Sequence, residues 1–191
     1  MDERAAPPRS EMKRFAEMCS LIREDWETHW RDWTKPGFRA MAMYRYGRWH
    51  RDVPNPVLRK LAGRLYKVLH RYVRNQYGIE LRCSAVVGRR LLIPHQGAIV
   101  IHSYAQIGDD CAIFQGVTLG TANEFTPSKA PKLGDRVRVG AGAMILGKVT
   151  VGDGAHLAPN TVVFTDVPAG ATVFTPPPRV IFPPKPPQAE T

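Results

Sequence analysis

Cysteine is scarce in this chain, and its placement excludes more than its number does. Cys19, Cys83 and Cys111 stand far apart, and no CxxC pair occurs. An odd, scattered set supplies neither a disulfide framework nor a thiolate metal site. Long apolar runs are missing too. No stretch reaches the roughly 18 residues that a membrane span needs, and no signal-peptide pattern opens the sequence. These absences lead to the expectation of a cytoplasmic protein with no membrane insertion and no metal. Acidic residues are thin at the front: residues 1–77 hold 17 Lys/Arg against 9 Asp/Glu, and the remainder 10 against 8. A basic front half suits nucleic acid, an acidic membrane or a phosphorylated ligand. No nucleic-acid motif accompanies it, so the cations read as a solvated face and no nucleic-acid partner is expected.

What the chain does have is a period of six. Leu133, Val139, Ile145, Val151, Leu157 and Val163 fall at equal steps, and Val137, Ala143, Val149, Ala155, Thr161 and Val167 follow each by four. Six matches neither an α-helix at 3.6 nor a strand at 2. It matches a chain that turns a corner every six residues, three corners to a coil, as in a solenoid. An earlier series runs Leu81, Val87, Ile93, then shifts phase by two to Ile101, Ile107, Ile113 and Leu119. Between Gly120 and Lys132 the rhythm stops, and such a polar excursion reads as a loop projecting over a site.

The front is helical. Residues 1–9 read as a tail, and 10–77 as a helical domain in which Ser10 caps a first helix running to about Trp33. Pro36-Gly37 and the Asp52–Pro56 segment are breaks. From Val57 to Tyr77 the stripe Leu58, Leu61, Leu65, Val68/Leu69, Tyr72 and Val73 makes an amphipathic helix with Arg and Lys on its wet side. Residues 78–175 form the coil domain, and seven prolines stiffen a tail over 176–191. The fold class is therefore α+β: a helical segment, then a parallel β-helix of hexapeptide repeats, then the Pro-rich tail.

The hexads, the Gln115-Gly116-Val117-Thr118-Leu119-Gly120 run and the projecting loop resemble the left-handed β-helix acyltransferases. Within that superfamily the chain is most similar to the serine O-acetyltransferases, including a shortened form of their helical domain over Ile22–Asp25 and Gly37–Trp49. The resemblance implies a homotrimer or a dimer of trimers, with acetyl-CoA as co-substrate in clefts between neighbouring β-helices. Such chemistry needs a base for the attacking hydroxyl, donors for the oxyanion and a proton for the leaving thiolate. The resemblance assigns the base to His95, with Glu80 orienting its imidazole, and oxyanion donation to amides of Gly120 and Thr121. It points to Gly140, Ala141, Gly142 and Ala158 for the pantetheine arm, and to Arg179 and Lys185 for the CoA phosphates. The other histidines, His29, His50, His70, His102 and His156, read as surface or packing residues.

The acceptor pocket departs from the family pattern. Pro94 stands where an aspartate is usual, and Lys129-Ala130 where Arg-His is usual, while Asp32 can stand in for an aspartate of the helical domain. Each charged hydrogen bond lost costs about 1.5–3 kcal/mol, roughly ten- to a hundredfold in acceptor binding. Two other readings stay open: a sugar or other small alcohol as acceptor, and a β-helix scaffold without catalysis.

Overall fold

The computed structural model describes residues 11–121, 130–176 and 179. Ser10, Lys129 and Lys185, with the expected N-terminal tail, lie outside the described residues.

Three helices come first: α1 (Glu11–Thr28), α2 (Pro36–Arg51) and α3 (Pro56–Tyr77). Pro36 and Pro56 open their helices, where a missing N–H leaves no bond unmade. The Asn55 side chain accepts hydrogen bonds from the N–H groups of Val57 and Leu58 at 3.0 and 3.1 Å, capping α3. The first helix stops short of the expected Trp33. Trp30 and Arg31 both take left-handed φ angles of about 60°, which ends the helical ladder after His29. Non-glycine residues hold such angles at a cost of about 1 kcal/mol or more each.

The apolar side of α3 is split in a way its periodicity does not show. Ala62 and Val73 are buried and Tyr66 and Leu69 pack on the core. Leu58, Leu61, Leu65, Val68 and Tyr72 are exposed. A stripe wider than the body beneath it leaves one flank in solvent.

The rest of the described chain is a left-handed parallel β-helix with three sheets. The first holds β1 (Ile79–Leu81), β3 (Ile99–Ile101), β6 (Thr118–Gly120), β9 (Met144–Leu146) and β12 (Val162–Val163). The second holds β2 (Val86–Val87), β4 (Gln106–Ile107), β7 (Lys132–Leu133) and β10 (Thr150–Val151). The third holds β5 (Ala112–Ile113), β8 (Arg138–Val139), β11 (His156–Leu157) and β13 (Thr172–Val173). Every pairing is parallel, and the hexad aliphatics stack inward as one core from Ile79 to Val167. Val100 pairs with Thr118 and Met144 with Val162, three plain hexads apart.

Two insertions and one deletion break that register; after β12, Val151 pairs with Val167 and His156 with Thr172 rather than with Ala169 and Phe174. Ile79 pairs with Ile99 rather than Gly97, and Leu92 with Ala112 rather than Asp110. The surplus common to both lies between Leu92 and Ile99, in the turn that carries His95. Gln106 pairs with Lys132 rather than Glu124, which places the second surplus between β6 and β7.

The helices are fastened to the first coil by buried polar contacts. Arg45, 5% exposed, grips the wholly buried Asp25 through Nε–Oδ2 at 2.8 Å and a second bond at 3.2 Å. Its remaining N–H groups donate to the carbonyls of Val87 and Gly88 at 3.1 and 2.6 Å. Gly37 lies flat on the same coil: a Cβ there would fall 2.0 Å from the Ile93 carbonyl oxygen, so only glycine fits.

Candidate active site

The corner following the third sheet gathers most of the residues in question. Leu92 pairs with Ala112, Ala112 with Arg138, and Arg138 with His156. Carried past the strand ends, that register stacks Phe114-Gln115 on Gly140-Ala141, then on Ala158-Pro159; Gly97, whose carbonyl accepts the Gly116 N–H at 2.8 Å, stands over Gln115, and the surplus residues of the His95 turn lie between Leu92 and Gly97. Contacts along the corner follow the same ladder. The His95 and Phe114 ring centres are 6.2 Å apart. Phe114 N–H donates to Val139, Gly140 N–H to Leu157 and Gly142 N–H to Gln115, at 3.1, 2.8 and 2.9 Å. His95 is exposed at the head of this column, and Ala141 and Ala158 are half-exposed below it.

Packing alone accounts for two of these small residues. A Cβ on Gly140 would meet Pro159 N at 2.7 Å, and one on Gly142, at φ 71°, would meet Asn160 Oδ1 at 2.3 Å. Stacked coils therefore require glycine at both places whether or not a ligand lies outside.

The other expected site residues are spread more widely. No hydrogen bond joins Glu80 to His95 among the described residues. The Glu80 carboxylate lies 3.6 Å from Arg82 Nε, toward the C-terminal end of β1, whereas the His95 turn precedes β3. Gly120 and Thr121 lie beside His102, whose N–H donates to Leu119, at the far end of β3 from His95. The length of β3 alone separates them from His95 by roughly 10 Å. Asp32 Oδ1 accepts from both Thr34 N–H and Thr34 Oγ1, at 2.8 and 2.6 Å. Those bonds hold its carboxyl below the ordinary value. Arg179 is exposed. Among the described residues no cluster of His, Cys, Asp or Glu could hold a metal.

One residue next to the site was not visible in the sequence. His29 is wholly buried: Nδ1 lies 2.6 Å from the Asp25 carbonyl, and Nε2 accepts the Ile93 N–H at 3.2 Å. Its own carbonyl accepts the Asp32 N–H at 3.2 Å. It thus ties α1 to the chain just before His95. A lone histidine on a helix gives no hint of a partner so distant in sequence. Burial holds the His29 imidazole below its ordinary pKa, with the Asp25 carbonyl and carboxylate opposing. Burial likewise pushes the Asp25 carboxyl up, against the pull of Arg45.

The sign for stability follows from the depressed histidine. As pH falls below 6.5, the unfolded chain takes up a proton that folded His29 refuses. Stability is expected to decline from about pH 7 to pH 5, and His29→Gln to flatten that decline. Thermal midpoints of both proteins across this range check it; parallel curves would mean that His29 is not the titrating group.

Comparison with known proteins agrees with this architecture. The family model described as bacterial transferase hexapeptide (six repeats) matches residues 130–165. The chain is 37% identical over 137 residues to a serine acetyltransferase of Helicobacter pylori, covering 72% of this chain and 76% of that one. A serine acetyltransferase of Synechococcus elongatus is 35% identical over 147 residues, 77% of this chain, but the match spans only 57% of the relative. Among solved structures, serine acetyltransferase from Brucella abortus in complex with coenzyme A superposes with a TM-score of 0.71 at 25% identity. That match covers 90% of this chain and 70% of that one. The soybean serine acetyltransferase complexed with serine gives 0.67 at 25%, over 89% and 73%. With its hexad coil, its short helical front and these relatives, the chain belongs to the serine acetyltransferase family.

Proposed function

We propose that the chain transfers the acetyl group of acetyl-CoA to the hydroxyl of L-serine or a related small alcohol in the cytoplasm. The observation that carries this reading is the corner column, with an exposed imidazole at its head and small residues beneath it. The relatives supply the co-substrate and acceptor: one solved member is in complex with coenzyme A and another with serine. In this reading His95 takes the hydroxyl proton as the oxygen attacks the thioester carbon. Backbone amides hold the resulting oxyanion. On collapse the C–S bond breaks, and the same imidazole returns the proton to the CoA thiolate. The pantetheine arm lies along Ala141 and Ala158. Arg179 and Lys185 meet the phosphates, and Asp32, Pro94 and Lys129 border the acceptor. Glu80 orients the imidazole in this reading, and Glu80→Gln is expected to matter less than loss of His95.

The distance between His95 and Gly120 within one chain favours a trimer, because a neighbouring copy can bring its Gly120 and Thr121 to the His95 corner. The first sheet offers the surface: Val100, Met144 and Val162 are exposed on its outer face, with Thr118 between Val100 and Met144. The second sheet shows Val86 there, followed by Gln106, Lys132 and Thr150, and the third Arg138, His156 and Thr172. Met144→Asp with Val162→Asp is expected to convert trimer to monomer in light scattering and to abolish turnover. A double variant that stays trimeric would move the interface elsewhere.

The acceptor assay tests the function itself. Thiol release from acetyl-CoA is followed with L-serine, homoserine and a set of sugars. Release with serine supports the proposal. Release with a sugar alone supports the second reading, which uncharged Pro94 favours. No release with any acceptor removes the enzyme reading.

A further inference from the structure

A second cleft, of about 590 Å³, opens between α3, the end of α2 and the segment after β1. Arg51, Lys67, Arg71, Arg74 and Arg82 line it, and no carboxylate does. Lys67, Arg71 and Arg74 share one face of α3, a helix with no acidic residue to offset like charges at neighbouring turns. Little inside the protein compensates this charge. Arg82 has only Glu80 at 3.6 Å, and Arg51 reaches the Cys83 carbonyl at 3.5 Å. Arg74 binds the neutral side chain of Asn75 at 3.2 Å. Lys67 and Arg71 have no ion pair or hydrogen bond among the described residues.

The floor of the cleft carries a second, independent feature. His50 stacks on Tyr66 at 5.2 Å, and Tyr66 leans on His70 at 5.7 Å. His70 Nε2 is buried and has no hydrogen-bond partner. Nε2 is closed to solvent, so it donates to an anionic oxygen once the His70 ring turns toward the cations, which gives the unpartnered atom the partner it lacks. Burial, Arg82 and Arg74 hold the His70 imidazole below its ordinary pKa, with Glu80 opposing; an anion among them would reverse that direction. The cleft lies at the Arg82 end of β1, whereas the His95 turn lies at the Gly78 end of the same sheet. It is therefore separate from the acetyl-transfer column.

We propose that this cleft binds a compact, multiply charged phosphate anion of the di- or triphosphate class, held by the cations of α3 and Arg82 and by His70 Nε2. Guanidinium forks match paired phosphate oxygens, and a single carboxylate or monoanion would leave most of the charge unmet. The inference does not rest on the acetyltransferase reading and is tested without turnover.

Inorganic triphosphate is titrated calorimetrically into the full chain at about 50 and 300 mM salt, two points that bracket a Debye length of roughly 10 Å. One site per chain is expected, weakened at high salt, and undisturbed by saturating CoA. The ring protons of His70 should shift in NMR spectra on addition of the anion. Arg71→Gln with Arg74→Gln, mild changes at exposed positions, are expected to weaken binding at least tenfold. No heat and no His70 shift at millimolar triphosphate would overturn the proposal. So would binding unaffected by the two substitutions, displacement by CoA, or binding only to vesicles of anionic lipid.

Discussion

His95→Ala is expected to lower turnover of acetyl-CoA by about 10²- to 10⁴-fold while leaving CoA binding intact, the range general-base catalysis supplies. The position of the residue explains why the loss should fall on the chemical step. His95 heads the corner column but does not line its lower part, where Ala141 and Ala158 stand. No other histidine occupies that corner: His102 sits after β3, and His156 is on the outer face of β11. Rapid-quench single turnovers at saturating acetyl-CoA separate chemistry from binding. A variant that keeps its single-turnover rate within about tenfold would require another group as base, because even the weaker general bases contribute more.

Asp25→Ala is expected to cost about 3–5 kcal/mol of stability, since it strands a buried guanidinium. Arg45 is held between Asp25 and the carbonyls of Val87 and Gly88, so the loss also loosens the helices from the first coil. The two-residue change Asp25→Leu with Arg45→Met should recover much of the loss, because apolar replacement of a buried pair is often neutral or better. Urea unfolding of the three proteins separates the cases. If Asp25→Ala costs under about 1 kcal/mol, the pair is solvated as surface pairs are. The same clasp positions His29 against Ile93, so single substitutions here should also reduce kcat more than they change KM.

The coil was legible because its rule is local. Each aliphatic residue of a hexad meets its own equivalents above and below, so the period alone yields the three sheets and their core. The phase shift after Ile93 and the interruption after Gly120 likewise mark the two insertions in the register, while the deletion after β12 has no such mark. The helical front was less legible. Its helices are spaced as their periodicity implies, but α1 ends early where Trp30 and Arg31 turn left-handed. The exposed flank of α3 depends on what lies beneath it, which no helical wheel records. At the site, tertiary partners add what sequence order does not show. Glu80 has Arg82 3.6 Å away, and His29, unremarkable in sequence, holds the backbone next to the His95 turn. The glycines of the Gly140–Ala143 corner suggest a ligand, but stacked coils already demand them.

The central claim is that the imidazole and the CoA arm share one corner of the β-helix, and Ala141→Trp tests it most directly. Ala141 belongs to the step of that corner below Phe114-Gln115, and its carbonyl already accepts the Asn160 N–H at 2.8 Å. Ala141 is half-exposed and outside the apolar core, so an indole there is expected to project from the coil. Calorimetric titration of CoA into the wild-type chain and the variant should show binding in the first and loss of about a hundredfold or more in the second, about 2.8 kcal/mol at 1.4 kcal/mol per tenfold. Equal affinity for CoA in the two proteins would contradict the claim.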